Sequence, residues 1–342
     1  MRYYVGLDVS VKTTAVCIVD EAGEVIKERS LATEPETLAD WLAKTGFEIT
    51  CVGHEAGPMS AWLHEGLASA GLPVVCVEAR QMAALLATRL NKTDRNDARG
   101  IAQVMQSGWY KPVHIKSHGA QELRCLLVAR RTLLSSQRNI ENTIRGMLKV
   151  FGLKVGQVSR LKFGERVREL VCNRPEIADM IASLVAARDS LLAQFSELHR
   201  KLKQVARQDS VCRRLMTAPG VGPVVAVTFR AGVDEVERFA KSSSVGAHFG
   251  LTSRRYASGE IDRQGPISKC GDGMVRAALY EAANAVLGRS KRTSSLRTWG
   301  QAIAKRTCPS KARVAVARKL AVILHRMWAD ATDYRWPEEV AA

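Results

Sequence analysis

Residues 3 to 107 of this 342-residue chain follow one order of elements, and that order constrains the fold more than any other feature. Three short runs rich in apolar residues, 3–9, 14–19 and 24–32, come in succession, with Glu21-Ala22-Gly23 as the turn between the last two. They read as three antiparallel strands. The period then changes. Pro35 to Lys44 sets Leu38, Trp41 and Leu42 on one helical face, and Ile49 to Glu55 returns to strand. A helix from Pro58 to Ala70, a strand from Leu72 to Glu78 and helices over Arg80–Leu90 and Thr93–Ser107 complete the segment.

Four acids fall at particular points of that order. Asp8 ends the first strand, Glu55 ends the fourth, and Asp94 and Asp97 lie three apart at the start of the last helix, nearly one turn, so both project from one face. Three antiparallel strands followed by alternating helices and strands is the ribonuclease H-like order, in which acids at the ends of the first and fourth strands and on a later helix converge. Gathered carboxylates repel unless a cation neutralises them, and oxygen-only ligation suits Mg²⁺ or Mn²⁺ rather than zinc. His54 adjoins Glu55 but alternates to the other side of the strand, so it reads as core. Singly, each acid has an ordinary explanation: Asp8 begins a turn, and Asp94 caps a helix with Asp97 at its third position. The ordered set favours a site.

Charge names the partner class. With 51 Lys and Arg against 34 Asp and Glu, the net charge of +17 is the footprint of a protein that meets phosphate backbones. No apolar run reaches a bilayer span, and Met1-Arg2-Tyr3 leads directly into a strand, so no membrane partner and a cytoplasmic location are expected. The eight cysteines show no paired or His-flanked spacing and read as reduced thiols.

Between 118 and 210 the pattern becomes long helices broken at Gly152–Gly164. Leu123, Leu126, Leu127, Leu133, Leu134 and Ile140 mark one helix, and Ile177, Ile181, Leu184, Leu191, Phe195 and Leu202 the other. The pair reads as an antiparallel coiled-coil arm for spacing and oligomerisation. Its arginines lie along nucleic acid or on a solvated face, two readings of equal standing. Next, Pro219-Gly220-Val221-Gly222-Pro223 resembles a helix-hairpin-helix turn, whose backbone amides dock a phosphate without reading bases; the alternative is a plain turn between helices.

From Gly250 the chain reads Gly-Leu-Thr-Ser-Arg-Arg-Tyr-Ala-Ser-Gly, then Ile267-Ser268-Lys269-Cys270-Gly271-Asp272. Ser258 beside Gly259 reads as a loop serine, with Arg254, Arg255 and Lys269 near in sequence to stabilise charge on an attacked phosphorus. Residue chemistry alone does not choose Ser258 over Ser242, Ser243, Ser244, Ser253 or Ser268. The C-terminal helices, 275–287 and 312–328, read as core, with Arg276, Arg289, Lys291, Arg292, Lys305, Arg306, Lys311, Arg313, Arg318 and Lys319 facing nucleic acid in part.

Asp8, Glu55 and the block Lys92-Thr93-Asp94-Arg95-Asn96-Asp97-Ala98-Arg99 resemble the N-terminal DEDD domain of insertion-sequence 110 family transposases. The Pro219–Gly222, Gly250–Gly259 and Ile267–Asp272 stretches resemble that family's C-terminal transposase domain. The resemblance implies a RuvC-like domain over 1–115 holding Mg²⁺ or Mn²⁺ through Asp8, Glu55, Asp94 and Asp97. It implies a helical arm over 116–208 and a mainly helical transposase domain over 209–335, in which Ser258 attacks the scissile phosphate to form a phosphoserine link. It further implies strand exchange between donor and target DNA, guided by a non-coding bridge RNA, in a homo-oligomer, dimer or tetramer. Lys92, Arg95, Arg99, Gly220, Gly222, Arg254, Arg255 and Lys269 are the expected nucleic-acid contacts. One departure is Ser253, where the family often has proline. Two rival classes are a RuvC-like hydrolase using activated water and a non-catalytic nucleic-acid-binding protein.

Overall fold

A computed structural model describes residues 1–87, 91–290 and 292–336. The chain divides into two compact units, Met1–Ser117 and His118–Ala342. In the first, β1 (Tyr3–Val9), β2 (Thr13–Val19) and β3 (Val25–Ala32) form an antiparallel meander. After α1 (Pro35–Ala43), β4 (Ile49–Glu55) pairs parallel to β1; after α2 (Ser60–Ser69), β5 (Val74–Val77) pairs parallel to β4. The sheet order is β3-β2-β1-β4-β5, and α3 (Ala79–Leu86) and α4 (Asp94–Ser107) follow. This is the ribonuclease H-like arrangement. The expected helix end at Leu90 lies outside the described residues.

Alternation along the strands separates the two faces of the sheet. Val5 and Leu7 of β1 and Val52 of β4 pack with Leu38 and Leu42 of α1 and Leu63 and Leu67 of α2. The opposite face carries Gly6, Cys51 and Gly53 and receives α4, through Ala98 and Ala102 over β1 and β2 and through Met105 over β4. Gly6 is paired with Gly53 in the parallel register. A Cβ at Gly6 would stand 2.1 Å from the Ala98 carbonyl oxygen and 2.3 Å from the Ala102 nitrogen, and one at Gly53 would stand 2.4 Å from Met105 Sδ. Bare backbone at these two adjoining positions is what lets α4 lie flat on the sheet.

The second unit begins with α5 (His118–Val150) and α7 (Pro175–Gln208), joined through α6 (Phe163–Val171). Arg130 on α5 donates to His199 on α7 (3.1 Å), and Glu141 accepts from Arg188 (2.8 and 2.9 Å). Positions that rise along one helix meet positions that fall along the other, so the two are antiparallel. The sequence places one break at 152–164. The chain does break there, between the end of α5 at Val150 and the start of α6 at Phe163, and it breaks a second time before Pro175, because Phe163, Val167 and Val171 make α6 one more apolar face against Ile177, Ile181 and Val185. Arg188, 1% exposed, is satisfied by Glu141, Asp189 and the Arg160 carbonyl.

A helical body follows: α8 (Ser210–Leu215), α9 (Pro223–Val233), a short 3₁₀ turn at 242–244, α10 (Val245–His248), α11 (Gly273–Gly288), α12 (Ser295–Arg306) and α13 (Pro309–Ala329). Leu215, Val227, Phe229, Leu279, Val286, Leu320 and Leu324 are among its fully buried residues. Between α10 and α11 rises a two-stranded hairpin, β6 (Ser253–Ser258) and β7 (Ile261–Ile267). No helix among the described residues is long and apolar enough to cross a membrane.

Candidate metal centre and candidate nucleophile

The acids of the first unit gather on the face that α4 covers. Asp8 lies two residues beyond Gly6, and Glu55 two beyond Gly53, so both side chains share the glycine pair's face at the carboxyl ends of adjacent parallel strands. Thr93 caps α4, its Oγ1 accepting the Asn96 N–H at 3.2 Å. Asp94 is thus the first helical residue rather than the cap expected from its type, and Asp94 and Asp97 both sit in the first turn. Asp97 is only 9% exposed, and it precedes Ala98, the residue seated on Gly6.

Electrostatics report the convergence. The Asp8 carboxyl is pushed up to about 6, first by burial and then by the negative charges of Asp94, Asp97 and Glu55, with Lys92 pulling the other way. Glu55 is raised by burial and by Asp97, again opposed by Lys92. The charged forms of Asp8 and Glu55 are thus disfavoured beside the first turn of α4, the situation a divalent cation relieves. Oxygen donors from carboxylates suit a hard cation, so the residues fit one. Asp8 and Glu55 also line a cleft of about 360 Å³ with Ser10, Gly57, Met59 and Ser60, room for a phosphate to approach them.

His54, as its alternation predicts, points to the other face. It is fully buried, its Nδ1 donates to the Glu55 carbonyl at 3.2 Å, and burial pushes it down to about 4, so it is a neutral support. Arg95 and Arg99 both reach Glu28 on β3, Arg95 Nε at 2.6 Å and Arg99 at 3.2 Å, which turns them along the sheet.

In the second unit Ser258 is not in a loop. It is the last residue of β6, opposite Ile261, with Gly259 in the turn at φ +55°. Pairing with β7 carries the strand as far as the turn. The whole of β6 is exposed, so the hydroxyl is open to solvent. Arg254 donates to the Ser268 carbonyl (3.3 Å), and Arg255 holds Asp262 with two bonds of 2.7 and 2.8 Å. Lys269 is exposed at the hairpin's foot with φ +55°.

The foot is rigid. Gly250 and Gly271 carry left-handed backbones, and a Cβ at Gly271 would meet the His248 carbonyl oxygen at 2.0 Å. Arg276 donates across the junction to the carbonyls of Phe249 (3.1 Å) and Cys270 (2.9 Å). That corrects its expected place among cations facing nucleic acid: its guanidinium is used to tie two backbone segments. Lys291 lies outside the described residues. Gly222 caps α9, and Pro223 follows at its first position, removing one amide from that end; Gly220 is packed backbone to backbone against Ala282 of α11.

Sequence reasoning missed the glycine pair under α4 and the role of Arg276. The first was legible: Gly6-Leu7-Asp8 and Gly53-His54-Glu55 repeat one spacing. Nothing in sequence marks Arg276 apart from its neighbours.

Residues 5–152 match the DEDD family model of insertion sequence IS110, described as "Transposase", and residues 212–298 match "Transposase IS116/IS110/IS902 family". The two together take in more than half of the chain. The chain is 28% identical over 341 residues to the transposase for insertion sequence element IS1111A of Coxiella burnetii, covering 96% of this chain and 90% of that protein. It is 26% identical over 238 residues to the transposase for insertion sequence element IS1328 of Yersinia enterocolitica, covering 68% and 70%. A structural likeness to Thermus thermophilus RuvC covers 32% of this chain and 99% of that one, at 15% identity and a TM-score of 0.25. That score is too low to carry weight beside the strand order itself.

Proposed function

The chain belongs to the IS110 family of insertion-sequence transposases, enzymes that cut and rejoin DNA, and from that premise we propose that it exchanges strands between donor and target DNA with a metal-dependent carboxylate site and a serine nucleophile. Asp8, Glu55, Asp94 and Asp97 hold the cation, Mg²⁺ or Mn²⁺. The observation that carries this reading is the placement of Asp8 and Glu55 at the ends of adjacent parallel strands, on the face against which α4 brings its first turn with Asp94 and Asp97, where the carboxyls of Asp8 and Glu55 are raised. When bound, the cation neutralises them and polarises a phosphate oxygen.

Ser258 supplies the nucleophile. Its Oγ forms a bond to the scissile phosphorus while the bond to one DNA oxygen breaks; the hydroxyl proton leaves, and the released DNA oxygen is protonated. The phosphodiester energy is kept in the phosphoserine link, so rejoining needs no nucleotide cofactor. The exposed position of Ser258 at a hairpin end supports this role, since a phosphodiester must reach it in line. Arg254, Arg255 and Lys269 in the second unit, and Lys92, Arg95 and Arg99 in the first, contribute phosphate contacts. The Gly220 to Gly222 turn offers backbone amides.

The functional segments are then 1–115 for metal chemistry, 116–208 for a coiled-coil arm that joins protomers into a dimer or tetramer, and 209–335 for the nucleophile. Guidance by a bridge RNA encoded beside the gene, and action in the cytoplasm, are part of the same proposal. Denaturing electrophoresis of DNA incubated with the protein tests the chemistry. Protein-linked strands are expected with wild type and Mg²⁺, and Ser258→Ala is expected to lower them by at least about a thousandfold while DNA binding stays. Free ends without a protein link indicate water as nucleophile, and persistence of the link in Ser258→Ala removes the serine from the role. Asp97→Asn is expected to abolish cleavage altogether.

A further inference from the structure

The two faces of the hairpin are unlike. Opposite residues of an antiparallel pair share a face, and neighbours along a strand alternate. The register Tyr256↔Arg263 and Ser258↔Ile261 therefore puts Ser258, Tyr256, Ile261 and Arg263 on one side. Ala257 with Asp262, and Arg255 with Gln264, lie on the other, where the Arg255–Asp262 ion pair neutralises itself. The serine's side has two exposed apolar groups, Tyr256 at 48% and Ile261 at 63%, and a cation, Arg263, 5.7 Å from the tyrosine ring centre.

Tyr256 is also held flat. A Cβ on Gly265 would stand 2.9 Å from Tyr256 Cε2, so the ring lies over a strand position that has no side chain and is braced from below by backbone. A flat, braced, solvent-facing aromatic beside an arginine is the platform on which nucleic-acid bases stack without regard to sequence.

Resting on the assignment of Ser258 as nucleophile, we infer that this face of the hairpin seats one DNA strand at the cleavage site, with Tyr256 stacking on a base next to the scissile phosphate and Arg263, rather than Arg255, placing its charge on that phosphate. A single strand is the occupant because the face is narrow, two residues wide, and its paired positions combine a π surface with positive charge and no carboxylate, Glu260 standing beyond them in the turn. Asp262, the acid nearest in the register, is turned away and bound to Arg255. Tyr256 and Arg263 are positioning residues: they hold the phosphorus in line with a hydroxyl two residues away on the same strand face.

The test uses the full-length protein and a single-stranded oligonucleotide substituted with iodouracil, which on irradiation cross-links to an aromatic ring stacked on it. Mass spectrometry is expected to find the cross-link at Tyr256, in wild type and in Ser258→Ala alike. Cross-links confined to other segments overturn the inference. In parallel, protein-linked DNA is measured on a plasmid carrying the element with its flanks. Tyr256→Ala is expected to lose about five- to a hundredfold of the adduct, matching a base-stacking contribution of about 1–3 kcal/mol, while Tyr256→Phe restores it. Arg263→Gln is expected to lose about tenfold, more than Arg255→Gln. Failure of Tyr256→Phe to rescue, or a larger loss at Arg255→Gln, contradicts this orientation. Adducts that survive Ser258→Ala instead overturn the nucleophile while leaving the cross-link result standing, so the two failures are told apart.

Discussion

The carboxylate site and the serine hairpin obtain their geometry in opposite ways. The acids are set by the core: a glycine pair lets α4 down onto β1 and β4, and the same contact brings the first turn of α4 to Asp8 and Glu55. Folding the sheet and bringing these acids together are one event, and the cost appears at Asp8 and Glu55, whose carboxyls are raised by burial and by neighbouring negative charge. The hairpin is fixed only at its foot, by Gly250, Gly271 and Arg276, and everything beyond is in solvent. A metal site must be preorganised because charge repulsion opposes it. A nucleophile that meets a large polymer must be accessible instead.

That contrast breaks most sharply at Gly6. Gly6→Ala drives a methyl into the Ala98 carbonyl and should cost about 3 kcal/mol of stability, read as a lowered urea midpoint. Loss of divalent-metal binding should accompany it, whereas an equal midpoint would show that α4 does not rest on this strand.

A smaller effect sharpens the electrostatic half. Because the folded Asp8 carboxyl titrates near 6, above its ordinary 3.8, the folded state holds the proton more tightly than the unfolded state. Ionising Asp8 therefore destabilises the metal-free protein as pH rises from about 4 to about 6, and the loss is complete above that window. Asp8→Asn should thus stabilise the metal-free protein at pH 7 by about 1–2 kcal/mol after solvent screening, with no gain below about pH 4. Adding Mg²⁺ should raise the melting temperature of wild type and not of the variant. A variant less stable than wild type at pH 7 without metal would contradict the repulsion.

The smallest effect belongs to the hairpin. Asp262→Asn removes a solvent-exposed ion pair and should leave thermal unfolding unchanged, since such pairs contribute little. A clear drop in melting temperature would mean that the hairpin is supported by more than its foot.

Much of the first unit was legible in sequence because its strands are short apolar runs bounded by turns and helices, so element order gave both the sheet and the place of Asp8 and Glu55 at strand ends. Asp94 was harder. Thr and Asp both cap helices, and only the bond from Asn96 to Thr93 decides between them. The second unit was less readable where short-range signals conflict. Ser, Arg and Gly in 253–259 suggest a loop, yet cross-strand pairing with 261–267 makes a strand that local propensity does not reveal. The helix inserted at 163–171 was hidden likewise, since its apolar residues are matched by distant partners, Ile144 and Leu148 on α5 and Ile177, Ile181 and Val185 on α7. Arg276 shows the limit for charge: a cation in sequence is a candidate for phosphate until backbone carbonyls claim it.

The central claim is that residues far apart in sequence surround one cation. Iron(II) bound in place of the native metal, with peroxide and ascorbate, cuts the backbone only near where it sits, and mass spectrometry locates the cuts. Three clusters are predicted, around Asp8, around Glu55 and around Asp94 to Asp97, all suppressed by excess Mg²⁺ and absent in Asp97→Asn. Cuts that omit any of these stretches, or that persist unchanged in Asp97→Asn, would contradict a shared metal site.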